Sequence, residues 1–269
     1  MKKHFVFILF TVVFLLSGCD RLFEYSPYSA NVRKSFEATT AYNLQKIKAI
    51  ETETGGIVEF KVALISDSHL FYNGLVDIIN LINEDEEILF VIHGGDMTDN
   101  GMLKEYEIFH NLMNKLKKPY LTAIGNHDFL ANGRQIYDEM FGEENYSFVF
   151  KNCKFIFFRD VIWENNYEEP DFFWLKAQLE NSEDCSRIFV IAHIPPWSDQ
   201  FSYSTSLIYK TLMDTFNVDL SIHGHHHDHE YFEYYNDSVK YLIIGAPSKG
   251  SFCKMTIGVD SVYVEKVNF

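Results

Sequence analysis

Residues 57–69 read Ile57-Val58-Glu59-Phe60-Lys61-Val62-Ala63-Leu64-Ile65-Ser66-Asp67-Ser68-His69. The first nine are apolar and β-branched enough to predict a buried strand, and the last four are polar residues that predict its end. The pairing of apolar run with polar cluster recurs. Ile88–Ile92 leads to Gly94-Gly95-Asp96-Met97-Thr98-Asp99, Tyr120–Ile124 to Gly125-Asn126-His127-Asp128, and Ile188–Ala192 to His193. A later run leads to His223-Gly224-His225-His226-His227. Helix-like spacing lies between the runs, around Leu75–Asn83 and over Leu103–Leu116 before Pro119. Such alternation predicts parallel strands joined by helical crossovers, with ligands gathering beyond the carboxyl ends of the strands.

The rest of the chain fits one α/β unit with two sheets. Phe36, Leu44, Ile47 and Ile50 give Ser35–Glu51 a helical spacing, and Gly55-Gly56 breaks it. Tyr146–Phe150 and Lys154–Phe158 flank Lys151-Asn152-Cys153 as a hairpin, and Pro170 opens a helix running to Leu179. The last fifty residues alternate strand-like runs with turns at Tyr235-Asn236-Asp237-Ser238 and Ala246-Pro247-Ser248. With 47% hydrophobic and 23% charged residues, a disordered chain is excluded. Lys+Arg 23 against Asp+Glu 38 gives a net charge of -15, which repels nucleic-acid backbones and argues against them as partners.

The N-terminus reads as an address. Lys2 and Lys3 precede an apolar run from Phe5 to Leu16, too short to span a bilayer comfortably. It ends in Leu16-Ser17-Gly18-Cys19, which resembles the lipobox of bacterial lipoproteins. That resemblance implies a signal peptide over 1–18 and acylation of Cys19. A tether and helix then follow over 19–56, and the main domain covers 57–269. The expected location is the bacterial cell envelope, anchored to a bilayer and facing outside the cytoplasm; the other reading is an ordinary secretory signal with an incidental Cys19. Cleavage removes two lysines and no acid, taking the net charge from -15 to -17. Cys153, Cys185 and Cys253 then remain, expected as three buried thiols.

Each polar cluster alone has an ordinary explanation. Asp and Gly form turns, Asn-His-Asp can cap a helix, and one histidine at a strand end is commonly a hydrogen-bonded core residue. Five clusters in one order supply carboxylates from Asp67 and Asp96, an amide from Asn126, and imidazoles from His69, His193, His225 and His227. Seven O and N donors exceed the needs of one four-coordinate zinc and suit two divalent cations sharing a carboxylate. With no thiolate among them, Mn, Fe and Zn all fit. Strand alternation is expected to bring Asp67 with His69, and His225 with His227, to one side, and to turn His226 away.

The order Asp-x-His, Gly-Asp-x-x-Asp, Gly-Asn-His-Asp, His, Gly-His-x-His resembles the calcineurin-like metallophosphoesterase superfamily, over roughly residues 58–228. The resemblance implies a four-layer α-β-β-α sandwich with two mixed sheets. It places Asp67, His69 and His227 on one metal, Asn126, His193 and His225 on the other, and Asp96 between them. His127 would be the general acid and Asp128 the residue orienting it. The implied reaction is hydrolysis of a small phosphate mono- or diester by a metal-bridging hydroxide. Asp99 stands where purple acid phosphatases carry an iron-binding tyrosine, and His69 where they lack a histidine, so a purple iron enzyme is not expected. The alternative is a non-catalytic lipoprotein that keeps the metal centre for structure or recognition.

The remaining histidines and aromatics have packing explanations beside functional ones. His93 and His223 divide evenly between site support and packing; His110, His226 and His229 are expected to be exposed or structural. Trp163, Tyr167, Trp197 and Tyr203 are read as loop aromatics, Arg159 as a phosphate contact or a salt bridge, and Asn83–Glu87 as a solvated helix end.

Overall fold

The computed structural model describes residues 26, 28–56, 59–235 and 239–269. The stretch expected as a signal peptide, Cys19, the strand start expected at Ile57-Val58 and the expected turn residues Asn236–Ser238 lie outside them. No helix among the described residues is long and apolar enough to cross a membrane.

The run at 57–65 forms β1 (Phe60–Ile65), which lies parallel to β2 (Ile88–His93); β2 in turn pairs in parallel with β3 (Tyr120–Thr122). The crossovers are α2 (Tyr72–Glu84) and α3 (Leu103–Met113), preceded in the chain by α1 (Thr39–Glu53). On the other edge of β1, β10 (Ser251–Ile257) and then β11 (Val262–Asn268) pair antiparallel, giving the order β11-β10-β1-β2-β3. The hairpin β4 (Tyr146–Phe150) and β5 (Cys153–Phe157) starts the second sheet. Strands β6 (Arg187–Ile191), β7 (Leu220–His223), β8 (Glu230–Phe232) and β9 (Lys240–Ile243) complete the order β4-β5-β6-β7-β9-β8. In it β5, β6, β7 and β9 run parallel and the two edge strands antiparallel. Each sheet is thus mixed, the parallel strands being central in the second and running out to the β3 edge in the first.

Period-two alternation sorts side chains into two cores. Val62, Leu64, Phe90 and Ile92 of the first sheet share a cluster with Phe155, Phe157, Phe189 and Ile222 of the second. Ala63, Ile65 and Val91 point the other way, onto Leu75, Ile78 and Ile82 of α2 and Tyr106 and Phe109 of α3. On the second sheet Ile156 and Val190 pack with Leu175 of α5 (Phe172–Glu180) and Tyr209 of α6 (Tyr203–Thr215). The outcome is the α-β-β-α sandwich implied above. The helix α1 touches β2, β3 and β4, and its Ile47 enters the inter-sheet core, closing the side where the two sheet edges would gape.

Several expectations shift. The helix α6 and the shorter α4 (Gly133–Met140) were not anticipated, and Tyr203 opens α6 instead of lying in a loop. Asp171 caps α5 by accepting from Trp174 N at 2.9 Å. The acidic run is not simply solvated: Asp85 pairs with Lys254 at 2.7 Å, and Glu87 with Lys61. Cys153 and Cys253 are buried free thiols, but Cys185 is half-buried because it follows α5 on a turn.

Candidate metal centre

The polar clusters sit beyond the carboxyl ends of β1, β2, β3, β6 and β7, at one end of the sandwich. Strand alternation is not what converges them. Asp67, His69, Asp96, His225 and His227 all hold positive φ, between 41° and 68°. The chain leaves each strand through left-handed turns, and these turn the side chains inward. Small residues make the room: a Cβ on Gly125 would stand 2.2 Å from Asp96 Oδ1, and one on Gly224 would stand 2.6 Å from Asp67 Oδ2.

Two compact donor groups result, Asp67 with His69 and His227, and Asp96 with His193 and His225. His227 Nε2 is 3.4 Å from Asp67 Oδ1 and 3.3 Å from His69 Nε2. Asp96 Oδ2 lies 3.7 Å from His69 Nε2 and 3.2 Å from His193 Nε2, so this carboxylate stands between the groups. Asn126 Oδ1 is 3.1 Å from His225 Nδ1, which puts the amide with the second group. Asp99 also comes within reach of His69 and His127. The seven residues expected as ligands are therefore together, and His226 turns outward into solvent.

The hydrogen bonds fix which nitrogen faces the centre. His69 Nδ1 contacts the Thr98 carbonyl at 3.1 Å, and His193 Nδ1 contacts that of Gly94 at 2.8 Å. A ring that donates from Nδ1 presents the Nε2 lone pair inward, the arrangement a metal ligand needs. His193 Nε2 is buried with no hydrogen-bond partner, although Asp96 is within ion-pair distance. Burial works against charge on His193, yet Asp96 and then Asp67 hold its pKa up at about 10. Burial would also raise Asp96, but the His193, His127 and His69 rings outweigh it and keep that carboxyl below the usual range. Burial lifts Asp67 to about 7, with Asp96 adding to the rise and His193 opposing it. The centre thus selects positive charge, and its oxygen and imidazole donors fit divalent cations.

His127 lies at the rim, half-buried, with its backbone N–H on Asp96 Oδ1 at 2.9 Å and Nδ1 2.8 Å from the Asp99 carbonyl. Asp128 was expected to orient it and does not. Its carboxylate is fully buried and accepts from Gly125 N, Met97 N, Thr98 N and the Thr98 hydroxyl, tying the β2 and β3 loops together. The Asp99 carbonyl takes the orienting place. His93 and His223 are buried supports: His93 Nε2 is 2.7 Å from Ser68 Oγ, and His223 Nε2 is 2.8 Å from Ser221 Oγ. His110 meets the Tyr120 hydroxyl at 3.1 Å, and His229 meets the Cys253 thiol. Arg159 is buried, 3.6 Å from Glu144, so the salt-bridge reading holds for it. Trp197 stacks on Tyr234 at 4.3 Å, whereas Trp163 and Tyr167 stand exposed.

Two supporting acids escaped the sequence. Asp160 accepts from His193 N and Ile194 N at 3.2 and 2.9 Å, and its place just past β5 repeats the strand-end pattern that marked the other clusters. Glu164 Oε1 accepts from Asn126 Nδ2 at 3.2 Å, which turns the amide oxygen toward His225. No local signal marks Glu164.

A central α/β sandwich with a paired-donor centre at its strand ends defines a metallophosphoesterase fold. The model of the calcineurin-like phosphoesterase family matches residues 60–229, and the chain belongs to that family. Among curated relatives, the Arcobacter nitrofigilis protein named "Probable glycerophosphodiester phosphodiesterase GpdQ" is 30% identical over 133 residues, 46% of this chain and 47% of its own. A Xenorhabdus bovienii protein named as a "Probable cyclic nucleotide phosphodiesterase" is 39% identical over 54 residues, 20% and 22% of the two chains. The chain thus spans less than half the length of the curated relatives it matches. Among solved structures, a dimetal phosphatase from Danio rerio superposes with a TM-score of 0.61 at 14% identity, covering 78% of this chain and 96% of that one. Purple acid phosphatase PPD1 from yellow lupin gives 0.63 at 15%, covering 78% and 51%. Both likenesses are of fold.

Proposed function

We propose that this chain hydrolyses a phosphate ester, a small phosphodiester in the first instance, with two divalent cations held by Asp67, His69 and His227 and by Asn126, His193 and His225, and with Asp96 shared. The observation that carries the reading is the pair of donor groups joined through Asp96. When bound, the cations supply Lewis acidity toward the phosphate oxygens and a lowered water pKa. The residues do the rest. The fixed Nδ1 contacts of His69 and His193 hold their rings in the ligating orientation, and Glu164 does the same for the Asn126 amide. His127 gives its Nε2 proton to the departing alkoxide. The contact of Nδ1 with the Asp99 carbonyl holds the ring with Nε2 free to meet the leaving oxygen, and in the metal-free chain Asp96 and that carbonyl raise its pKa against the effect of burial. The diester preference is supported by the name of the Arcobacter relative, and the envelope location by the Leu16–Cys19 motif.

The test uses the full chain in detergent, stripped of metal and restored separately with Mn²⁺ and Zn²⁺, with aryl phosphate monoester and diester assayed side by side. Metal-dependent cleavage faster on the diester is the expected result. Two metals bound per chain with neither ester cleaved would overturn the catalytic reading, and no metal bound would overturn the centre.

A further inference from the structure

We infer that the mouth of the centre faces the bilayer to which Cys19 is anchored, so that the phosphate ester it takes is a lipid headgroup presented in that membrane. This rests on the lipoprotein and phosphoesterase readings above and adds an orientation and a substrate class to them.

The first described stretch after the anchor is fastened beside the centre. Asn132 Nδ2 donates to the Tyr28 carbonyl at 2.6 Å, and Asn132 lies five residues beyond His127. The loop between them is compact: Leu130 N donates to His127 O, and Gly133 N to Leu130 O. The Asp99–Gly101 loop packs on it, since a Cβ on Gly101 would stand 2.0 Å from Leu130 O. From Cys19 to Tyr28 the chain has nine residues, a reach of at most about 30 Å. A domain of this size is roughly 45 Å across. The tether is therefore too short to pass round the molecule and present the opposite end.

The surface at this end suits a bilayer. Leu70 and Phe71 directly follow His69 and are 49% and 54% exposed, and Leu130 is 37% exposed. His69 N donates to Asp96 O at 3.1 Å and His69 Nδ1 lies 3.5 Å from Asp99 Oδ1, so the segment that follows His69 leaves from beside the Asp99 loop. Tyr28, at the fastening point, is 60% exposed. Large apolar side chains thus stand out from both loops that flank His127. At the far end of β10, next to the start of β1, Val259 is also exposed and serves as the control position.

The experiment places a tryptophan at either end of the full-length lipidated chain, Phe71→Trp or Val259→Trp, in vesicles of brominated phosphatidylcholine mixed with phosphatidylglycerol. Loss of the added fluorescence at position 71 but not at 259 is the expected result. Equal quenching, quenching only at 259, or failure of the chain to float with the vesicles would overturn the orientation. Glycerol or phosphoglycerol release from the phosphatidylglycerol of the same vesicles is measured in parallel. Its absence in chains that cleave the soluble aryl diester would overturn the lipid substrate. Loss of aryl diester cleavage with position 71 still quenched would instead count against the phosphoesterase reading alone.

Discussion

On the proposed reading the chemistry turns on His127, which stands at the rim of the centre and is not among the seven proposed ligands. Replacing it with alanine should lower turnover by about 10²- to 10⁴-fold. Metal content should stay unchanged when measured on the same preparations. Retained turnover would mean that another group protonates the leaving oxygen. Gly125→Ala is expected to do the reverse. Its Cβ would fall 2.2 Å from Asp96 Oδ1, so the shared carboxylate must move. Metal stoichiometry should drop while the far-ultraviolet circular dichroism of the fold stays the same. The sequence already carried the ligand types, since each follows an apolar run that ends in small polar residues. The backbone angles were hidden. Aspartate and histidine do not advertise a left-handed turn as glycine does, so the alternation argument reached the right residues through the wrong geometry. The mistaken pairing of Asp128 with His127 has a similar origin: neighbours in sequence, they point into different networks.

At the scale of elements, long apolar strands were easy to place, because burial on both faces leaves little ambiguity. The helices without a clean apolar stripe were not. In α6, Leu207 and Ile208 are exposed while Tyr209 and Met213 are buried, so the apolar positions do not lie on one face. The helix α4 does present one apolar face, with Ile136, Tyr137 and Met140 buried, but over only two turns, too short a window for the period to register. The N-terminal helix α1 was legible, but its role at the open side of the sandwich depends on which strands end up at the sheet edges. Its Ile47 is 2% exposed in the inter-sheet core. Ile47→Ala should cost about 2–5 kcal/mol of unfolding free energy in a denaturant titration. The metal centre at the far end of β1 should keep its stoichiometry.

The molecule as a whole responds to pH through its buried histidines. Burial holds His110 below its ordinary value, and burial together with the His193 charge pushes His223 down to about 3. A histidine whose folded pKa lies below the unfolded one favours folding fully above the unfolded value of 6.5, and that contribution fades as the pH falls below it. The contribution of these two histidines to the denaturation midpoint should therefore fall between about pH 7.5 and pH 5, against the opposite trend of buried Asp160, whose carboxyl burial lifts to about 7. His110→Gln should lose less stability on that acidification than the parent chain, and an equal response would remove His110 from the account. The five left-handed ligand positions have a consequence of a different kind. Each costs an L-residue about 1 kcal/mol, so together they oppose folding by about 5 kcal/mol, comparable with the net stability of many domains. Stability and catalysis thus pull in opposite directions at the same residues. His227→Gly should make the metal-free chain melt later, not earlier, even as it removes a donor. Selection for robustness alone would drift toward glycine there and erase the enzyme.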